Sequence, residues 1–167
     1  YKKGAKLIVI DPRKGFLAKK ADLWLQVRPG TDAALALVFH NVIIEEELYD
    51  KYKDVVEVVA PKPVTIRTLD IGGDKIVSQL NVTDEMNPAM GLRAIRFSLR
   101  EGQLFKTQLR AILRAAAGRN FRIMFPMVSA VDQFRTAVEL TQEAIDDLER
   151  SGIPSHSSPQ IGLMLET

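Results

Sequence analysis

Cysteine is absent from this 167-residue chain. That excludes disulfides, thiolate metal centres and cysteine nucleophiles, and fits a reducing compartment. Histidine occurs only twice, as His40 on an apolar helical stretch and His156 in a serine-rich loop, and neither reads as functional. No apolar run approaches the roughly 18 residues of a membrane-spanning helix, and no signal-peptide pattern opens the chain. We therefore expect no membrane partner and a cytoplasmic location. Charge of one sign is not in excess either: the net charge is +2, so no nucleic-acid partner follows from charge. The phosphate-binding patterns GxGxxG and GxxxxGK[ST] are missing, and no internal repeat of 20–50 residues is visible. What is there, 46% hydrophobic and 26% charged residues, is the composition of a globular domain with a real core.

The most informative stretch is VTIRTLDIGGDK, from Val64 to Lys75. Strand-forming residues run up to Gly72-Gly73, where the chain must turn. Alternation puts Thr65, Arg67 and Leu69 on one face and Ile66, Thr68 and Asp70 on the other. An arginine within such a strand needs an anionic partner. That partner is either an internal carboxylate or a phosphate or carboxylate ligand at the strand end.

Along the chain, KLIVID (Lys6–Asp11) reads as a buried strand closed by Asp11-Pro12. Phe16–Lys20 reads as a short helix and Leu23–Val27 as a second strand. After Pro29-Gly30, Thr31 is placed as an N-cap with Asp32 at the positive end of the helix dipole, and a helix is expected from Ala33 to about Tyr49. Glu45-Glu46-Glu47 reads as a solvated face and Val55–Ala60 as a further strand. Pro61-Lys62-Pro63 is a break, and there the basic residues change from mostly Lys to mostly Arg. Beyond it, Val77–Val82 is a weak strand or loop, and Asn87-Pro88 begins a helical stretch through Leu99. Gly102–Ala117 is an amphipathic helix with the stripe Phe105, Leu109, Ile112, Leu113 and Ala116, stopped by Gly118. Arg110 and Arg114 on its flank read as solvated. FRIMFPM (Phe121–Met127) is a strand, Ser129 with Asp132 resembles a capping box, and a helix runs to Gly152. Ile161–Glu166 is the last strand. This order is that of parallel βα units. The expected fold class is α/β: a layered, mostly parallel sheet of about five or six strands flanked by helices. FRIMFPM and IGLMLE, apolar on both faces, are expected inside a covered sheet. Tyr1 in place of Met and a stop straight after an apolar run both read as cut ends.

Ligands of parallel α/β sheets sit at the C-terminal strand ends. Arg67 and Asp70, Arg93 at the following helix entry, and Glu166 at the end of the last strand are placed there. Two guanidiniums can grip a phosphate, and a carboxylate can hold Mg²⁺. Arg96 and Arg122 are weaker candidates, read first as structural ion-pair formers.

Residues 61–167 resemble the phosphoenolpyruvate-binding barrel of Enzyme I of the bacterial sugar phosphotransferase system, through RTLDIGGDK, NPAMGLRAIR, LRAILRAAA, FRIMFPM and IGLMLET. The resemblance implies a partial (β/α) barrel that binds phosphoenolpyruvate through Arg67 and Arg93 and Mg²⁺ through Glu166. It also implies what is missing: the Asn-Asp pair, a further arginine and a cysteine acid of later strands, the arginine of the first barrel strand, and the phosphorylated-histidine motif. Residues 1–54 resemble a segment of molybdopterin oxidoreductases of the formate dehydrogenase type, through GAKLIVIDPR, AKKADLWLQVRPGTDAALAL and VIIEEELYDKY. That resemblance implies nucleotide contacts at Asp11, Arg13, Pro29, Gly30, Thr31 and Asp32.

The expectation is therefore a fused chain with segments 1–60 and 61–167, whose strands could merge into one sheet. It would be an incomplete phosphoenolpyruvate- and Mg²⁺-binding module, without turnover on its own. The alternatives are an α/β scaffold with no ligand and a remnant nucleotide-binding segment. Open sheet edges favour a homodimer.

Overall fold

The computed structural model describes residues 6–26, 28, 32–70 and 93–165, with side chains outside the description for 32–40. The chain forms two units, Tyr1–Asn41 and Val42–Thr167.

In the first unit, β1 (Ile8–Ile10) pairs in parallel with β2 (Leu23–Leu25), Ile8 opposite Leu23. A turn of 3₁₀ helix (Ala18–Lys20) lies between them. The Asp22 carboxylate accepts the Leu7 N–H at 2.7 Å, and the Trp24 indole donates to the Asp11 carbonyl at 3.0 Å. KLIVID is not the buried strand expected: Ile8 and Ile10 are exposed, because a two-stranded sheet has too little surface to cover its own faces. Helix α1 (Asp32–Val59) begins in this unit.

In the second unit, α1 continues to Val59, so Val55–Ala60 is helix and turn where a strand was expected. Val56 is buried in the core with Tyr52 and Val59 packed beside it, and that burial outweighs the strand preference of the valines. Then follow β3 (Val64–Arg67), α2 (Ile95–Arg100), α3 (Gly102–Ala115), β4 (Phe121–Phe125), α4 (Val131–Arg150) and β5 (Gln160–Leu163). The strands lie in the order β3-β4-β5, both pairs parallel. The α/β class with parallel strands flanked by helices is thus what the chain forms. Its five described strands fall into two sheets, however, and do not merge into one.

The register explains which face is buried. Val64, Ile66, Phe121, Ile123 and Phe125 point into the core against Phe105, Leu109, Ile112 and Leu113 of α3 and Ala144, Ile145 and Leu148 of α4. On the other face Thr65 lies level with Arg122 and Gln160, and all three are exposed. The cover on both sides expected for FRIMFPM and IGLMLE is not found among the described residues: β3 and β4 have one packed face, and β5 alternates between exposed and half-buried.

The helix ends follow the turn chemistry. Gly152 has φ +66°, its N–H bonds to the Glu149 carbonyl, and the Ile153 N–H reaches back to Leu148. This is the paired C-terminal closure that a left-handed glycine permits. At the start of α4 the N-cap is Ala130. There Gln133, and not Asp132, closes the turn: its Oε1 accepts from the Ser129 N–H at 3.1 Å and the Ser129 hydroxyl at 3.3 Å. Asp132 pairs with Arg135.

Arg110 and Arg114 are not the solvated pair expected. The Glu45 carboxylate takes Arg110 Nε and Arg114 Nη1 at 2.8 Å each, and Glu46 takes Arg114 at 2.7 Å. Only 13% of the Glu45 side chain and 14% of that of Arg114 are exposed. The guanidinium of Arg114 also lies 4.4 Å from the Tyr49 ring centre. Hydrogen bonding to Glu46 raises the pKa of Arg114, and the same bond lowers that of Glu46. One turn before Arg110 on α3, Lys106 bridges to Asp147 at 2.8 Å and Glu143 at 3.1 Å. The Asp147 bond raises the pKa of Lys106, and Lys106 in turn lowers that of Asp147.

Candidate functional site

Strand β3 ends at Arg67, and the first residues beyond it carry the site. The Thr68 N–H still reaches β4, bonding to the Met124 carbonyl at 3.0 Å. Asp70 then turns its carboxylate back between two guanidiniums. Arg67 Nη1 lies 3.4 Å from Asp70 Oδ2, and Arg93 Nε donates to Asp70 Oδ1 at 3.0 Å. Asp70 is 9% exposed, Arg67 47% and Arg93 35%. Two cations are thus gathered on one buried carboxylate while their outer surfaces meet solvent. Both readings of Arg67 open from the sequence have support in this geometry: it has an internal carboxylate partner, and it sits with a second arginine at a strand's C-terminal end.

The rim continues over β4. Arg96 Nη2 donates to the Ser129 hydroxyl at 3.0 Å. A pocket of about 210 Å³, lined by Val128, Ser129, Val131, Phe134, Leu163 and Leu165, lies beyond the ends of β4 and β5. Two non-glycine residues near this rim have positive φ, Ala94 at 50° and Met127 at 53°. Such conformations cost on the order of 1–3 kcal/mol and persist only where the surroundings enforce them. Ala94, directly after Arg93, is buried.

Arg122, by contrast, bonds to Gln160 Oε1 across the strands at 2.8 Å and joins none of these groups. His156 is tied into the fold: its backbone N–H donates to the Leu113 carbonyl, its Nδ1 accepts the Ser158 N–H, and its ring lies 6.4 Å from that of Phe121. Glu166, Gly72-Gly73, Val77–Val82 and Asn87-Pro88 lie outside the described residues. In the first unit the Asp11 carboxylate accepts the Arg13 N–H at 2.7 Å, making a tight turn after β1. Pro29, Gly30 and Thr31 are outside the description, as is the Asp32 side chain.

Three groups were not singled out from the sequence. Gln108 accepts the Leu69 N–H at 3.1 Å and donates to the Tyr52 hydroxyl at 2.8 Å. Thr68 is buried, and its hydroxyl finds no partner among the described residues. As for a cation, no cluster of three metal-ligating side chains occurs among the described residues. The donor set at the rim, two guanidiniums around one already paired carboxylate, fits an anion. It does not by itself fit Mg²⁺, which asks for carboxylate oxygens not neutralised by arginine.

Comparison with known proteins places most of the chain in one family. Over 122 residues, 73% of this chain, the sequence is 47% identical to the phosphoenolpyruvate-protein phosphotransferase of Priestia megaterium. Over the same length it is 45% identical to that of Geobacillus stearothermophilus and 44% to that of Staphylococcus aureus. Each match covers 21% of the relative, so the chain spans about a fifth of the length of the curated relatives it matches. The family described as "PEP-utilising enzyme, PEP-binding domain" matches residues 34–167, beginning within α1 and ahead of Pro61. With four-fifths of its length inside that match, the chain belongs to the PEP-utilising enzymes, in their PEP-binding domain.

Proposed function

We propose that this chain binds phosphoenolpyruvate through Arg67 and Arg93 as an incomplete module of the phosphoenolpyruvate-protein phosphotransferase type, and does not turn it over alone. The observation that carries the reading is the convergence of both guanidiniums on Asp70 at the end of β3. Arg67 and Arg93 would take the phosphate or carboxylate oxygens, with Asp70 holding the pair at a fixed spacing. Mg²⁺, supplying electrostatic neutralisation of the phosphate, would rest on Glu166 and substrate oxygens.

Two charge-assisted contacts contribute about 1.5–3 kcal/mol each, and association costs on the order of 4 kcal/mol or more. The expected dissociation constant is about a millimolar or weaker. Calorimetric titration with phosphoenolpyruvate and Mg²⁺ should show this, with loss of binding in Arg67→Ala and no pyruvate release. A micromolar constant, or pyruvate release above the Arg67→Ala control, would overturn the reading. No binding at about ten times the expected constant would leave an α/β scaffold without a ligand.

A second reading concerns residues ahead of the family match. The turn Asp11–Arg13 lies just past the C-terminal end of β1, where parallel sheets place ligands. We propose that this segment, with Asp11, Arg13, Thr31 and Asp32, is a nucleotide-binding remnant of separate origin, similar to molybdopterin oxidoreductases. Titration with guanosine monophosphate in the same calorimeter decides it: heat that persists unchanged in Asp11→Ala removes the proposal.

Self-association belongs to the same proposal. Among the described residues β3 and β5 are the outer strands of their sheet, and one sheet face is exposed. Unpaired edges favour a second copy. Light scattering should give the dimer mass at about 100 µM, since weak self-association has a micromolar constant. The monomer mass would refute it.

A further inference from the structure

We propose that Gln108 is a positioning residue for the anion site, held in its working orientation by Tyr52; this rests on the proposed phosphoenolpyruvate reading. In the parallel ladder the N–H groups of Val64 and Thr68 point toward β4, to the carbonyls of Asn120 and Met124. N–H groups alternate in direction along a strand, so those at the odd positions point the other way. Leu69 N–H therefore faces away from β4, on the outer side of β3, directly before the residue that gathers both arginines.

Gln108 comes across from α3 to take that N–H at 3.1 Å. A backbone N–H only donates, so the amide oxygen must face Leu69 and the amide nitrogen must face away. The nitrogen then finds the Tyr52 hydroxyl on α1 at 2.8 Å. Tyr52 is largely buried, and desolvation raises its pKa, so it stays a neutral hydroxyl over the working range. Gln108 itself is buried, which makes a flipped amide costly: it would set two donors against each other with no water to intervene. The relay from Tyr52 through Gln108 to Leu69 thus fixes the peptide that aims Asp70, and Asp70 sets the spacing of Arg67 and Arg93. Among the described residues no hydrogen bond joins Gln108 or Tyr52 to Arg67 or Arg93, so their role is one of positioning.

Gln108→Met keeps the length and volume but removes both polar bonds. Tyr52→Phe removes only the group that orients the amide. The experiment measures phosphoenolpyruvate affinity by calorimetry and exchange of the Leu69 amide by NMR on the full chain. The expected result is an affinity loss of about tenfold in Gln108→Met and a smaller one in Tyr52→Phe. Leu69 exchange should quicken at least tenfold while amides in β4 keep their protection. Gln108→Glu, whose carboxylate can accept hydrogen bonds from both the Leu69 N–H and the Tyr52 hydroxyl, should restore slow Leu69 exchange. If Gln108→Met lowers affinity without changing Leu69 exchange, or quickens exchange throughout β4, the relay is wrong. If wild type fails to bind, the functional reading falls, and Leu69 exchange alone then decides the relay.

Discussion

Phe125→Ala should lower the stability of the second unit by about 3–5 kcal/mol. Phe125 ends the central strand β4 and is fully buried. Its ring meets Phe105 of α3 edge-on at 5.9 Å and Phe134 of α4 at 6.2 Å. Truncation leaves a cavity that two helices border, and it removes two edge-to-face contacts worth about 0.5–1.5 kcal/mol each beyond burial. Neither helix can move in to fill the space without leaving its own partners, because Leu109, Ile112 and Leu148 are equally buried. For a chain of this size the melting temperature should fall by on the order of 10 °C. Urea unfolding should show a lower midpoint at unchanged slope. A loss under about 1.5 kcal/mol would mean that the site collapses freely, contrary to this packing.

Glu45→Leu is expected to cost about 2–3 kcal/mol, somewhat less than the full penalty for breaking a buried pair, since both arginines keep some solvent. Glu45 is shared: its two oxygens serve Arg110 and Arg114, both of which are largely shielded from solvent. Removing the carboxylate leaves two neighbouring cations, with Glu46 still paired to Arg114 and the Asp147 charge acting on Arg110. Glu46 is half exposed, so Glu46→Gln should cost under about 1 kcal/mol. The contrast between these two variants in chemical denaturation is the test, and equal effects would refute the central role of Glu45. The pH dependence has a definite sign. The depressed pKa of Glu46 makes its contribution present above the unfolded carboxylate value and lost as pH falls through the folded one. Arg114, raised from an already high value, adds no titration in the accessible range.

The parts legible in the sequence were those with a strong period. The stripe Phe105, Leu109, Ile112, Leu113 and Ala116 named the packed face of α3 correctly. The β-branched run from Val64 located β3, and Gly118 with φ +69° stopped α3's turn where expected. Val55–Val59 misled because valines prefer strands locally. A helical period was nevertheless present: Glu45, Tyr49, Tyr52, Val56 and Val59 follow one another at alternating spacings of four and three, and all face α3 or the core. Arg67 and Arg93 were legible as residues, but their meeting on Asp70 was not, since it depends on a contact across 23 positions. Gln108 left a fainter trace. It is a lone amide beside an apolar stripe, and such a residue is buried only when backbone polar groups need it.

The sheet's open face bears on how strongly its arginine can hold anything. Arg67, Thr65, Arg122 and Gln160 stand on a surface that water reaches. A contact of 4 Å between unit charges is worth about 1 kcal/mol in bulk water, and about 4 kcal/mol at the lower effective dielectric of a partly enclosed protein surface. The strength of the site is therefore governed by the medium as much as by its residues. Roofing this face would deepen the electrostatic grip of Arg67 with no change to the residues themselves.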